Sequence, residues 1–255
     1  MSDPGALVRS TLADGVLTLT LDRAVKRNAL NSALIAGLHA GLERADLDPE
    51  GRVVVLRGEG KDFCAGADLD ELLGSADHDP AANEAEALTL GRLFARIRSL
   101  PKPVIAVVQG RALAGGAGLA TACDVVIAEA GAQFGYPEVQ RGFVPAMVMA
   151  ILRRLAGEKV ALDLVLTGRL LGAEAARSAG LVSRVVPAAD LDREAASIAS
   201  GLAAASPSAL ALTKRLFYEL DAVSFDEGIA LGARANAVAR QTPDFRAAIA
   251  RFLKK

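Results

Sequence analysis

Two small-residue turns, each placed between an apolar β-type run and a helix-forming stretch, constrain the fold of this chain more than any other feature. The first spans residues 63–69 (Phe-Cys-Ala-Gly-Ala-Asp-Leu) and follows the apolar run at 53–56. The second spans residues 110–118 (Gly-Arg-Ala-Leu-Ala-Gly-Gly-Ala-Gly) and follows the run at 104–108. A strand that ends in small residues and passes into a helix leaves backbone N–H groups open at the helix start, where the peptide dipole favours negative charge. Two such turns facing each other would form a pocket for an oxyanion. Downstream, Glu138 is the acid of an otherwise apolar segment, Phe134-Gly135-Tyr136-Pro137-Glu138-Val139. An anion hole beside one desolvated acid is the outline of a site that makes enolates.

The surrounding pattern is that of an α/β chain. Alternation at residues 16–21 predicts a strand, and Asn31-Ser32 caps a helix to about Ala45 with Leu34, Ile35, Leu38 and Leu42 on one face. There follow an expected strand at 53–57, a helix through 84–99 stopped by Pro101 and Pro103, a strand at 104–108, a short helix near 119–123 and a strand at 125–128. Helices are expected at 146–155, 159–166 and 173–178, with a last strand at 182–186. Beyond Asp190 the pattern is helical. Ser206-Pro207 is a cap plus first-turn proline, Ser224 to Glu227 reads as a capping box, and Thr242-Pro243 opens a final helix. The expected division is an α/β core over 1–190 and a helical region over 191–255 suited to oligomerisation or to a lid. No repeat with obvious sequence identity and no low-complexity linker is visible.

At 255 residues, 52% of them hydrophobic, the chain can bury a large core. A formal net charge of −1 argues against nucleic acid or an anionic membrane as the main partner, though it allows a local basic patch. Residues 1–5 (Met-Ser-Asp-Pro-Gly) lack the basic and apolar regions of a signal peptide, and the apolar runs at 104–108 and 145–152 are too short to span a bilayer. Cys64 and Cys123 stand alone, without metal-ligand spacing, so the expectation is a reducing cytoplasm and no metal.

Other site chemistries fail on inspection. Gly58-Glu59-Gly60-Lys61 is followed by Asp62 and lacks the upstream glycine of a phosphate loop. Gly116-Ala117-Gly118 lacks the third glycine of a dinucleotide fingerprint, and no acid ends the next strand at the usual spacing. There is no Gly-x-Ser-x-Gly elbow, and His39 and His78 fall on a helix face and in a polar loop, which disfavours a histidine-based triad.

Taken together, the two turns and the Pro-Glu segment resemble the crotonase superfamily, the enoyl-CoA hydratase/isomerase family, over nearly the whole chain. The matching stretches are residues 23–30 (Arg-Ala-Val-Lys-Arg-Asn-Ala-Leu), 63–69, 102–124, 133–145 and 167–187. The resemblance implies an α/β spiral of ββα units with a helical C-terminal trimerisation region, hence a homotrimer or hexamer. It implies an acyl-CoA thioester as substrate, with coenzyme A part of that substrate and no separate cofactor. By position, the amides of Ala67 and Gly115 would form the oxyanion hole. Lys26, Arg27, Ala29 and the Ala65 backbone would line the coenzyme A site, with Lys26 and Arg27 as phosphate partners. Asp68, Leu69, Gly116, Gly118 and Tyr136 fall on the remaining substrate-binding positions, and Glu138 on the catalytic acid/base.

One departure stands out. Members that hydrate enoyl-CoA typically carry a second glutamate on the helix after the second turn, where this chain has Gly118. Hydration needs a base for water and an acid for the α-carbon, whereas moving a double bond from the 3 to the 2 position needs one carboxylate that takes a proton at C2 and returns it at C4. Both reactions stay open. So do a non-catalytic acyl-CoA binder and other chemistry on the same scaffold, namely thioester hydrolysis, dehalogenation or retro-aldol cleavage. Of the other acids, Asp68 is expected to cap its helix, Asp124 to tie the start of a strand, and Glu71 to be exposed. Phe134, Val139, Phe143, Val144 and Met147 are expected to wall Glu138 and raise its pKa. Gly118 is expected to leave a roomier acyl pocket.

Overall fold

The structure, a computed structural model, describes residues 7–254. The N-terminal stretch 1–5 discussed above therefore lies outside the described residues. The chain opens with an antiparallel hairpin, β1 (Val8–Ala13) and β2 (Val16–Leu21), whose turn places Asp14 and Gly15 at positive φ. Helix α1 (Ser32–Leu47) starts at Asn31, whose side chain accepts from Leu34 N. Strand β3 (Val53–Gly58), the short α2 (Leu69–Gly74) and the long α3 (Pro80–Ser99) follow. Next come β4 (Val104–Val108), β5 (Arg111–Leu113) and α4 (Gly115–Ala122), then β6 (Val125–Glu129), β7 (Gln133–Gly135), α5 (Ala146–Leu155) and α6 (Glu158–Thr167). The chain continues through β8 (Leu170–Gly172), α7 (Ala173–Ser178) and β9 (Arg184–Val186). Four helices close it: α8 (Leu191–Ala204), α9 (Pro207–Glu219), α10 (Phe225–Ala239) and α11 (Pro243–Leu253).

The strands form a six-stranded sheet in the order β1-β2-β3-β4-β6-β9, parallel from β2 onward, and a three-stranded sheet β5-β7-β8. Their alternation makes the spiral. β4 lies in the large sheet and β5 in the small one before the chain enters α4; β6, β7 and α5 repeat that path one step along. The first turn follows it too, since Cys64 bridges Ala112 of β5 just after β3 has left the large sheet. Three successive ββα units thus stack in parallel, as the resemblance implies.

Both faces of the central strands are covered, so β3 and β4 read as apolar runs without alternation. Val54, Leu56, Ala106 and Val108 face α1 and α3 through Leu38, Leu42, Leu93 and Ile97. Val53, Val55, Ile105 and Val107 face α8 through Leu191, Ala195, Ala199 and Ala203. The first helix beyond residue 190 therefore covers the second face of the sheet and belongs to the core packing, and α9 is tied to the core as well, through buried Lys214 Nζ on Ile97 O at 2.8 Å. Asp124 Oδ2 accepts from Val104 N at 2.7 Å, the expected tie at the start of β4.

Candidate active site

The two turns are brought side by side by backbone pairing. Cys64 N donates to Arg111 O at 3.0 Å and Leu113 N donates to Cys64 O at 3.0 Å, which sets Cys64 opposite Ala112. Ala67 and Gly115 each lie three residues beyond that bridged pair. The approach is close enough to require glycine. A Cβ on Gly66, at φ +94°, would come within 2.8 Å of Ala114 Cβ, and one on Gly116 within 2.4 Å of Cys64 O.

The same pairing aims the two amides. Leu30 N donates to Gly66 O at 2.7 Å, so the planar trans peptide turns Ala67 N–H away from Leu30, toward the β5 side. Gly118 N donates to Ala114 O at 3.0 Å, which commits that carbonyl to α4 and leaves Gly115 N–H pointing out of the helix start. Ala114 pays for this geometry with a backbone at φ 52°, ψ −125°, a conformation that L side chains disfavour. Among the described residues neither amide donates to another part of the chain.

Glu138 reaches the same region from β7. Leu113 pairs with Gly135 and Ala114 N donates to Gly135 O at 2.8 Å, so the segment that follows Gly135 runs past the start of α4. A short 3-10 turn, Pro137–Arg141, holds Glu138, and Gln140 Nε2 pins that turn to Thr167 O and Gly168 O at 3.3 and 3.2 Å. Glu138 is only 8% exposed, and among the described residues its buried Oε2 has no hydrogen-bond partner. Burial raises its pKa above the ordinary carboxylate value, against a lowering pull from its own backbone N–H and from the Arg141 charge. A carboxylate held this way is a proton acceptor whose protonated form is also accessible. Its expected wall is less of a core than its composition suggests: Phe134 is fully buried, but Val139, Phe143 and Val144 are exposed.

The remaining sequence-picked residues separate by role. Lys26 and Arg27 are half-exposed on the loop after β2, where Lys26 Nζ pairs with Asp70 Oδ2 at 2.8 Å and Arg27 Nε lies 3.8 Å from Asp62 Oδ2. Ala65 N donates to Arg27 O at 3.0 Å, joining this loop to the first turn, and Ala29 is buried beside it. Leu69 is exposed at the start of α2. Asp68 caps α2 through Oδ1, as expected, while its Oδ2 is taken by Arg23 at 2.5 Å; its carboxylate is thus committed within the protein. The Arg23 guanidinium holds the Asp68 carboxyl below the usual range. Tyr136 is completely enclosed, with its hydroxyl near Thr121 but without a hydrogen bond among the described residues, and burial raises its pKa.

Gly118 does not leave the room expected of it. A Cβ there would lie 2.4 Å from Val148 Cγ1 and 2.9 Å from Phe94 Cζ, so helices α5 and α3 fill the volume that a side chain would need. The sequence reading missed Phe94 and Val148 in this part, and it missed Arg23. Phe94 and Val148 read as helix-face residues, and only the helix crossing aims them at Gly118. Arg23 lies within a matched stretch, but nothing local to it signals a partner at Asp68.

Comparisons with known proteins bear on the family and the fold of the chain. The family model described as "Enoyl-CoA hydratase/isomerase" matches residues 11–255. An Escherichia coli protein named 2,3-dehydroadipyl-CoA hydratase is 40% identical, over 94% of this chain and 92% of its own length. Two crystal structures superpose closely. An enoyl-CoA hydratase from Mycobacterium smegmatis has a TM-score of 0.93 at 32% identity, covering 97% of this chain and 96% of that one. An enoyl-CoA hydratase from Polaromonas sp. JS666 gives 0.93 at 33%, with the same coverage of 97% and 96%.

Proposed function

Given that this chain belongs to the enoyl-CoA hydratase/isomerase family, we propose that it is an acyl-CoA enzyme that works through an enolate, with the Ala67 and Gly115 amides as oxyanion hole and Glu138 as the single acid/base. The reaction the site favours is migration of a double bond from the 3 to the 2 position. Glu138 removes a proton from C2, the electron pair passes to the thioester oxygen as a dienolate, and the same carboxyl returns the proton at C4 as the carbonyl re-forms. The observation that carries this reading is the pairing of a buried, unpartnered carboxylate oxygen on Glu138 with an apolar plug, Phe94 and Val148, at the position where a second acid would stand.

Hydration of a trans-2-enoyl-CoA is the second reading, and the relatives' names favour it. In that case Glu138 takes a proton from water as the water oxygen adds at C3, and then delivers a proton to C2. Either reading calls for no cofactor, because coenzyme A arrives with the substrate, and Lys26 and Arg27 would meet its phosphates. The tail helices carry exposed apolar side chains, Phe217, Phe225, Ile229, Phe252 and Leu253, which we assign to contacts between copies in a trimer or hexamer. The two buried free cysteines suit the cytoplasm.

The test is to incubate the protein separately with trans-2-hexenoyl-CoA and 3-hexenoyl-CoA, following mass and double-bond position together. Conversion of the 3-enoyl to the 2-enoyl thioester without water gain is the expected result. A water adduct from the 2-enoyl thioester selects hydration, and no change in either substrate overturns both readings for this acyl length.

A further inference from the structure

Arg23 has no part in the reading above, yet its contacts bracket one side of the oxyanion pocket. Its Nη1 lies 2.5 Å from Asp68 Oδ2 and donates to Ala29 O at 3.1 Å. Ala29 immediately precedes Leu30, and Asp68 immediately follows Ala67; Leu30 and Ala67 are the two residues bridged between the loop and the first turn. Within that bridge Leu30 N donates to Gly66 O at 2.7 Å, and Asp68 N donates to Leu30 O at 2.9 Å. The first of these bonds dictates where the Ala67 N–H points.

We infer that Arg23 is a positioning residue for the oxyanion hole: by pairing with Asp68 while holding the Ala29 carbonyl, its guanidinium staples the Leu30–Ala67 bridge and fixes the direction of Ala67 N–H. The inference rests on the assignment of Ala67 to the hole. Several points support it beyond the distances. The side chains are only 18% and 7% exposed, so water and salt screen the pair weakly. A guanidinium presents several donors in a rigid plane and can serve a carbonyl and a carboxylate at once. Capping of α2 does not need Arg23, because the cap uses Asp68 Oδ1 while Arg23 takes Oδ2. The loop it holds also needs fixing, since Arg27 and Asn28 both sit at positive φ, 51° and 55°. The Asn28 side chain ties the loop to Glu59 O and to Asp62 O, just ahead of the first turn, and its Oδ1 accepts from Arg23 N.

The experiment uses a cinnamoyl-type thioester of coenzyme A bearing a para electron donor, whose absorbance moves to longer wavelength when its carbonyl accepts strong hydrogen bonds. It is bound to the full-length wild type and to Asp68→Asn, Arg23→Met and Arg23→Lys, and affinity for coenzyme A alone is titrated beside it. Asn caps a helix as well as Asp, so Asp68→Asn removes the ion pair and keeps the fold. The expected result is a red shift in the wild type that shrinks in Asp68→Asn and Arg23→Met and partly survives in Arg23→Lys. Turnover should fall roughly tenfold in the first two, with affinity for coenzyme A unchanged. A full red shift in both Asp68→Asn and Arg23→Met overturns the inference and leaves the Ala67 assignment standing. Loss of coenzyme A affinity in proportion to turnover also overturns it, by assigning Arg23 to loop folding alone. Absence of any shift in the wild type overturns the oxyanion-hole reading and this inference with it.

Discussion

The ring of Phe94 occupies space that a side chain at Gly118 would need, with Phe94 Cζ 2.9 Å from the position of a Cβ there and Val148 Cγ1 closer still at 2.4 Å. The absence of a second acid is thus built into the packing of α3 and α5 against α4. Restoring the acid alone should fail. Gly118→Glu is expected to destabilise the protein by roughly 1–3 kcal/mol through overpacking, read as a lower urea midpoint, without a gain in hydration. Gly118→Glu combined with Phe94→Ala and Val148→Ala should recover part of that loss and raise the water-adduct yield from trans-2-hexenoyl-CoA. Better hydration from the single substitution would show that the plug yields more easily than its geometry implies.

Glu138 ties activity to stability with opposite signs. Burial raises its folded-state pKa above the ordinary 4.5, so between those two values the folded protein holds more protons than the unfolded chain. Stability contributed by this group is therefore full below the unfolded pKa and is lost as pH rises through the folded pKa. Glu138→Gln should accordingly raise the melting temperature near neutral pH and leave it unchanged near pH 4. Turnover in that variant should fall by about 10²–10⁴-fold, with coenzyme A affinity retained. Melting curves at the two pH values and a single turnover assay check both halves.

Arg141 tunes the same carboxyl. Its charge pulls the Glu138 pKa down against burial. Removing the charge in Arg141→Met should move the Glu138 pKa further up. Because the ionised carboxylate takes the proton, the acidic limb of the kcat/KM profile should move to higher pH in the same direction. An unmoved limb would assign that limb to a group other than Glu138.

Much of the fold is legible from local signals; of what is not, one helix start carries a local signal that was passed over and the rest has none. The caps at Asn31, Ser206, Ser224 and Thr242 all accept from backbone amides where the sequence placed them, and α5 and α7 have the expected bounds. Helix α3 begins at Pro80 and not near residue 84, although Asp79-Pro80 carried a cap and a first-turn proline. Helix α4 begins at Gly115 and not near residue 119, since burial on all sides overrides the poor helix propensity of Gly115, Gly116 and Gly118. The three-residue strands β5, β7 and β8 are too short to show a period, and the stacked ββα units share geometry without sequence identity. At the site, the turns and Glu138 were visible because glycine and a lone acid are conspicuous. The Arg23–Asp68 pair joins residues distant in sequence and the Phe94–Val148 plug depends on helix crossing, so both required coordinates.

Ala114 offers the most direct test of how the second turn is built. Its φ of 52° and ψ of −125° lie where an L side chain is strained, and its carbonyl and amide are committed to Gly118 N and Gly135 O. Nothing in those two bonds uses the Ala114 side chain. Replacement by glycine removes the Cβ penalty and keeps both bonds, at the smaller cost of a freer unfolded chain. Ala114→Gly is therefore expected to stabilise the protein by about 1 kcal/mol, seen as a higher urea midpoint at unchanged slope. Ala114→Val, with a bulkier β-branched side chain at the same backbone angles, should destabilise it and lower turnover, because relieving the strain shifts the peptides on either side of residue 114, one of which presents Gly115 N–H. A glycine variant no more stable than the wild type would mean that the packing of Ala114 Cβ over Gly66 offsets the strain.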